Sequence, residues 1–367
     1  MVKMNPHFSR IQREVIFPII EQKIAEMGDV SLINLGIGDV ALPLDPHIAE
    51  AFSMAVQEMT MRPIGYGPAA GYVFLREKLL YADLSIDEIF ISDGINTDLA
   101  NIGDILSPDA IVATIDPGYP VFGDTHLMAG RTVITLPCTL ENGFIPQPPQ
   151  ENIDVVYLCS PGNPTGVAMT YKDLEMWVSY ALEHDVLIIF DAAYADFITS
   201  DDVPKSIYEI PDAKKVAIEM RSFSKGYGFT GLRCSSTAIP KETGLNTLWH
   251  KRQNTKYNGC AYPIQKAAAA ALDITPQINV YLDCAKQLKS ALGNDVYGGV
   301  NSPYLWWKVP EKMTSWEFFD QLLFEHRIVG IPGSGFGKSG EGYLRLSAFT
   351  TPEVVSKAIK HLGQYAY

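Results

Sequence analysis

The 367-residue chain carries 29 Lys and Arg against 42 Asp and Glu, a formal net charge of −13, with 47% hydrophobic and 19% charged residues. That length suits about two domains with a large core; the composition excludes an extended disordered region, and an acidic chain without a basic stripe is a poor ligand for nucleic acid, whose phosphates require clustered cations. Five scattered cysteines without a C-x-x-C pair and seven dispersed histidines point away from a disulfide framework and a metal site, and no segment approaches about eighteen uninterrupted apolar residues, so a soluble, cytoplasmic protein with no membrane partner is expected.

The chain begins Met1-Val2-Lys3-Met4-Asn5-Pro6, with no apolar run ending in a small-residue cleavage site. Residues 1–35 read as an N-terminal arm that contributes to a small domain. Short apolar, β-branched runs follow at Glu88 to Ser92, Ile111 to Ile115, Asp154 to Cys159, Val186 to Phe190 and Val216 to Met220. Each precedes turn residues and then a helical pattern, the signature of an α/β fold with a mostly parallel central sheet. Continuous apolar content such as Val186-Leu187-Ile188-Ile189-Phe190 implies burial on both faces. After about Leu245 the character changes. Helical patterns at Pro263 to Leu272 and Val280 to Leu292 precede strand candidates Tyr304 to Val309 and Tyr343 to Phe349, which flank a helical Trp316 to Glu325. The expected division is a large domain over 36–245 and a smaller α+β domain over 246–367.

Polar residues cluster just after the strand candidates, and open α/β sheets bind ligands beyond the carboxyl ends of their strands. Asp93-Gly94-Ile95-Asn96 stands between a strand and a helix start, where unpaired N–H groups and the dipole favour an anion. Asp116-Pro117-Gly118-Tyr119-Pro120 presents an aromatic face for stacking on a flat heterocycle. Ser160-Pro161-Gly162-Asn163-Pro164-Thr165-Gly166 is an irregular loop that aims the Asn163 amide. Asp191 ends an apolar strand, where a carboxylate is costly unless paired, and Tyr194 lies three residues on. Each has an ordinary alternative: a turn, a helix cap or a core tyrosine. Gly335-Phe336-Gly337-Lys338-Ser339-Gly340 mimics a phosphate-binding G-x-G-x-x-G, but a strand follows it instead of a helix, so it reads as a mobile glycine loop leading into Arg345.

The most informative stretch is Arg221-Ser222-Phe223-Ser224-Lys225-Gly226-Tyr227-Gly228-Phe229-Thr230-Gly231-Leu232-Arg233. It follows a strand candidate with an amine, hydroxyls and a guanidinium, a set that suits a phosphate-bearing aldehyde. Pyridoxal 5'-phosphate needs a lysine for its Schiff base, here Lys225, and hydroxyl and charge-assisted donors for its phosphate, here Ser222, Ser224 and Arg233. A carboxylate beside the pyridine nitrogen, here Asp191, keeps the ring protonated as an electron sink, while Asn163 and Tyr194 suit its phenolic oxygen. Arg345 in its strand could clamp a substrate carboxylate through two parallel hydrogen bonds, or be a solvated strand arginine.

Together these runs resemble the fold type I pyridoxal-phosphate enzymes of the class I/II aminotransferase group, on Asn-Pro-Thr-Gly at 163–166, Asp191 with Tyr194, Ser-Phe-Ser-Lys at 222–225, Arg233 and Arg345. Within that group the chain is similar to the LL-diaminopimelate aminotransferases, on Asn5-Pro6-His7-Phe8, Leu35-Gly36-Ile37-Gly38-Asp39, Gly65-Tyr66-Gly67-Pro68, Ile89-Phe90-Ile91-Ser92-Asp93-Gly94 and Pro303-Tyr304-Leu305-Trp306. The resemblance implies an enzyme that moves an amino group between an amino acid and a 2-oxo acid, in an amino acid biosynthetic pathway such as that to lysine. Lys225, Asp191 and Tyr194 would be its catalytic residues. It implies cofactor contacts from Gly94, Ile95, Asn96, Tyr119, Asn163, Ser222, Ser224 and Arg233, and substrate contacts from Gly38, Asn163, Asn258 and Arg345. It also implies a homodimer with shared active sites, in which Tyr66 and Asn258 reach the partner's cofactor and substrate. Two positions depart from that family. Its acidic residue after Gly-Tyr-Gly, which reads the distal amino group, is replaced within Pro68-Ala69-Ala70, and its Gly-Ala-Lys at the phosphate cup is Gly94-Ile95-Asn96. A different amino donor therefore stays open, as do a lyase, cyclase or oxidase of the same fold and a non-catalytic pyridoxal-phosphate-binding protein.

Overall fold

Two periodicities in the sequence decide which side chains face which layer, and both are realised in the computed structural model, which describes residues 2–11 and 16–363. In chain order the strands are β1 (Ile33–Asn34), β2 (Ile89–Ser92), β3 (Ile111–Asp116), β4 (Thr132–Pro137), β5 (Val155–Cys159), β6 (Leu187–Asp191), β7 (Ala217–Ser222), β8 (Ser235–Ala238), β9 (Val296–Gly298), β10 (Tyr304–Lys308), β11 (Ile328–Val329), β12 (Ile331–Pro332) and β13 (Tyr343–Ser347). The central sheet has the order β2-β8-β7-β6-β5-β3-β4. Only β8 runs against the others, in agreement with the expected mostly parallel α/β sheet.

Because side chains alternate across a strand, successive residues of β5 and β6 enter different cores. Val156, Leu158, Ile188 and Phe190 pack on one face with Leu174 and Trp177 of the helix Tyr171–His184. Val155, Tyr157 and Ile189 pack on the other with Leu99, Phe122 and Trp249. Covering both faces removes the apolar runs from water, as parallel strands require. The helix Tyr171–His184 starts at a capping box in which Thr170 and Asp173 satisfy each other's backbone N–H.

Two strands of the central sheet have no counterpart among the strand candidates. The edge strand β4 has one buried residue, Leu136, so it lacks the apolar density of its neighbours and ends at Pro137, where no ladder donor is required. The strand β8 is wholly buried yet consists of Ser235-Ser236-Thr237-Ala238. Its hydroxyls are paired internally: Ser235 Oγ lies 2.7 Å from Ser92 Oγ, and Thr237 Oγ1 donates to Asp98 Oδ2 at 2.5 Å.

Burial raises the Asp98 carboxyl from 3.8 to about 6, with the Thr237 and Ser92 hydroxyls opposing the rise. Asp191 is raised to about 6 by the same cause. The folded chain therefore holds protons that the unfolded chain has lost between about pH 4 and 6, so these two acids make stability fall as pH rises through that window, each by up to about 3 kcal/mol. Urea unfolding of the cofactor-free protein at several pH values should show this fall, and Asp98→Asn should remove part of it. A flat profile in both would refute the assignment.

A second sheet has the order β12-β13-β10-β9 and is antiparallel throughout. It is covered by the helices Ile278–Leu292, Ser315–His326 and Pro352–Leu362, with Leu288, Trp306, Phe318, Leu346 and Val355 in its core. Ile16, Ile20, Ile33 and Leu35 of the N-terminal arm enter this core, and β1 pairs with β11. The helices Asn246–Lys256 and Tyr262–Ala271, grouped with the small domain in the sequence reading, instead send Trp249, Ala267, Ala268 and Ala271 into the cores of the large sheet. Alanine-rich surface permits this close packing, and the helix Tyr262–Ala271 lies against Pro46–Met61. Among the described residues, no helix is long and apolar enough to cross a membrane.

Candidate active site

The parallel strands end at a common edge, and a cavity of about 280 Å³ opens there. Asp191 is the last residue of β6 and Ser222 the last of β7. A single helical turn, Phe223–Gly226, follows β7 at once and carries Ser224 and Lys225, with Ser222 as its cap: the Ser222 hydroxyl accepts from Ser224 N at 3.1 Å. Asn163 comes from the loop after β5, and Tyr119 from the connection between β3 and the helix Val121–Met128. Gly38, Ile95, Asn96, Tyr119, Asn163, Asp191, Tyr194, Ser222, Ser224, Lys225, Arg233 and Arg345 all line the cavity. Tyr66 and Asn258 do not; both are exposed on the surface, Tyr66 to 93%.

Gly94, at φ 121°, starts the helix Ile95–Asn101. A Cβ there would overlap Arg233 Nη2, so glycine lets the guanidinium lie against the helix start. Arg233 Nη1 donates to Ser224 Oγ at 3.1 Å and to Thr230 O at 3.3 Å, which engages two of the fork's five N–H donors. The remaining donors, the Ser222 hydroxyl and the first-turn N–H groups form a cradle suited to a dianion. Tyr119 is fixed in orientation by its hydroxyl, which donates to Asn96 Oδ1 at 2.9 Å.

Asp191 is 5% exposed. Its Oδ1 accepts from Ala193 N at 2.9 Å, and Cys159 supplies a side-chain hydrogen bond. These contacts do not offset burial, which is why the acid is held up at about 6; a cationic N–H partner would stabilise its charged form. Lys225 Nζ donates to the Gly38 carbonyl and sits 5.4 Å from the Phe349 ring centroid. Tyr194 shares a hydrogen bond of 3.1 Å with Tyr304.

Arg345, in β13, is 4% exposed and is no solvated strand arginine. Nη1 donates to Asn163 Oδ1 at 2.7 Å and Nη2 to Gly36 O at 2.6 Å, between the rings of Tyr304 and Phe336, each 4.7 Å away. Its buried Nε has no hydrogen-bond partner among the described residues. An unpaired buried cationic donor is costly, and an anion would relieve it. Since Asn163 Oδ1 faces Arg345, the amide's donor end is the one left for a ligand.

The glycine run 335–340 is not a mobile loop. It forms two 3₁₀ turns, Gly333–Phe336 and Lys338–Gly340, and is fastened to Asp116, which accepts from Ser339 N and Oγ at 3.2 and 3.3 Å. A Cβ on Gly337 would overlap Asp116 Oδ1, so glycine here permits docking and not motion.

The model of the family "Aminotransferase class I and II" matches residues 30–362. The chain belongs to this aminotransferase family. It is 44% identical to the LL-diaminopimelate aminotransferase of Parabacteroides distasonis and 45% identical to that of Azobacteroides pseudotrichonymphae, with 100% and 98% of both chains covered. The solved L,L-diaminopimelate aminotransferase from Chlamydomonas reinhardtii superposes with a TM-score of 0.92 at 35% identity, over 100% of this chain and 99% of that one. The substrate-bound BacF structure from Bacillus subtilis has a TM-score of 0.87 at 27% identity. The protein is thus a fold type I aminotransferase that uses pyridoxal phosphate, and the cavity fits that group: a phosphate cradle at Gly94, Ser222 and Arg233, an acid in need of a cation at Asp191, and an amine at Lys225.

Five lining residues do not stand out as site residues in the sequence: Phe17, Leu99, Ala193, Thr230 and Tyr304. Thr230 falls within the Arg221 to Arg233 stretch and Tyr304 within Pro303-Tyr304-Leu305-Trp306, but nothing local marks a strand tyrosine as a neighbour of Arg345. A Cβ on Gly38 would overlap the Tyr304 hydroxyl, so these two distant positions are matched in shape.

Proposed function

We propose that this aminotransferase takes the α-amino group from an amino acid whose carboxylate rests on Arg345, and delivers it to a 2-oxo acid held in the same way. The observation that supports this most directly is the convergence of Lys225, Asp191 and Arg345, from three separate segments, on one cavity. When bound, pyridoxal phosphate supplies the aldehyde that takes up an amine and the conjugated ring that stabilises a carbanion. Arg345 and Asn163 orient the donor, with the fork fixing the carboxylate plane. Lys225 Nζ takes the proton from the donor α-carbon and returns it later as a general acid. Asp191 would keep a ring nitrogen of the bound group protonated, and Tyr194, tied to Tyr304, would offer a hydroxyl in the same cavity. Amino acid followed by 2-oxo acid should interconvert the two absorbance forms of the purified holoenzyme in separate half-reactions. Conversion by the amino acid with no return by any 2-oxo acid would favour the lyase, cyclase or oxidase chemistry.

The names of the relatives bring forward LL-diaminopimelate as donor, within lysine biosynthesis. A diverged donor is the second reading, favoured by Ala69 and Ala70 after Gly-Tyr-Gly and by Asn96, whose side-chain oxygen is engaged by Tyr119. We also read the protein as a homodimer in which exposed Tyr66 and Asn258 complete the partner's site, and as cytoplasmic, in keeping with five free, buried cysteines. As domains we propose the large sheet with its helices through Ala271, and the small sheet with the N-terminal arm.

A further inference from the structure

A second cavity, of about 310 Å³, adjoins the first and shares Phe17, Tyr119, Asn163 and Arg345 with it. Its remaining wall is apolar: Ile11, Ile16, Pro120, Val121 and Phe336 contribute most of it. Ile16 is buried against Gly335, where a Cβ would overlap its side chain, so this wall is built by close packing. Phe17 stands at the junction of the two cavities and is 54% exposed, an aromatic with an open face. Among the described residues, the charged side chains in the lining are Arg345 and Asp124. Arg345 carries the donor carboxylate in the function proposed above, and Asp124 already takes part in an interaction of its own.

We propose that this second cavity receives the side chain of the amino donor, and that the enzyme prefers α-amino acids with aliphatic or aromatic side chains over those ending in an ammonium or carboxylate. The inference rests on Arg345 as the carboxylate anchor. A donor so anchored, with its α-carbon toward Lys225, has the adjoining cavity as the next space for its side chain. An apolar side chain entering there leaves water for walls of its own kind, whereas a terminal charge would give up its hydration against walls that are mostly apolar. Apolar walls of this type separate donors by about 10-fold to 200-fold for each group that fits or fails to fit. Asn96 lines the first cavity and is not among the residues of the second, so its amide does not stand beside a side chain seated there.

The test is single-turnover conversion of the holoenzyme by leucine, methionine and phenylalanine, set against LL-diaminopimelate, lysine and glutamate, followed by the visible absorbance of the bound cofactor. The expected result is a second-order rate at least about 10-fold higher for the best apolar donor. Val121→Asp should lower the apolar rates by about 10-fold or more while the rate with lysine rises or holds. Should that variant bind cofactor poorly, Phe17→Ala, at a half-exposed position, should erode the apolar preference by several-fold. Faster conversion by LL-diaminopimelate or glutamate than by every apolar donor would overturn the inference and leave the aminotransferase function standing. No conversion by any donor would instead remove the Arg345-anchored reading on which it rests.

Discussion

Lys225→Ala is expected to lower kcat/KM by about 10⁴-fold or more, since it removes both the amine that links to the cofactor and the group that moves the α-proton; general acid–base catalysis alone contributes about 10² to 10⁴. The purified variant should lose the visible absorbance of lysine-linked cofactor. It should still retain pyridoxal phosphate through the cradle at Gly94, Ser222 and Arg233, because none of those contacts involves the lysine side chain. Among the described residues, Lys225 Nζ donates to the Gly38 carbonyl and lies over the Phe349 ring, so the fold should tolerate its loss. Steady-state rates, an absorbance spectrum and a thermal melt together check these points. Activity within ten-fold of the parent would mean that another group carries the proton.

Arg345→Ala should raise KM for the amino donor strongly, with kcat/KM lower by about 10² to 10⁴-fold, the equivalent of two charge-assisted hydrogen bonds. The same substitution strands the Asn163 Oδ1 and Gly36 O acceptors, so some loss of stability should accompany it. Arg345→Lys separates the two effects. Lysine keeps the charge but not the fork, so it should restore stability more fully than affinity. If Arg345→Lys recovers nearly the full kcat/KM, the planar two-point clamp is not how the carboxylate is held. The two rings that flank the guanidinium, Tyr304 and Phe336, favour a planar group over an ammonium and point to the same outcome.

The pattern of residues at strand ends was legible because β-strand chemistry is local. Apolar runs such as Val186 to Phe190 announce a doubly buried strand, and whatever polar residue follows must sit at its carboxyl end, which places Asp191, Ser222 and Asn163. Lys225 and its neighbouring hydroxyls are legible for a related reason, since one turn after a strand fixes Ser222, Ser224 and Lys225 relative to one another. The strand β8 was not legible. Its four small residues carry no apolar signal, and only the hydroxyl pairing with Ser92 and Asp98 across the sheet makes their burial affordable. The helices between 246 and 271 were assigned to the wrong packing partner for a similar reason: an alanine-rich face does not state which surface it will approach.

By itself, then, the sequence determined the class of fold, the cofactor chemistry and most of the residues that line the cavity, because each depends on short-range spacing along one strand and its following turn. The tertiary structure alone decided the surroundings of Arg345, the match between Gly38 and Tyr304, the docking of the glycine run on Asp116, and the apolar chamber beside the site. These are contacts between segments tens to hundreds of residues apart, such as Arg345 with Gly36 and Asn163. No local spacing encodes them; they arise when two separately packed sheets bring their edges together.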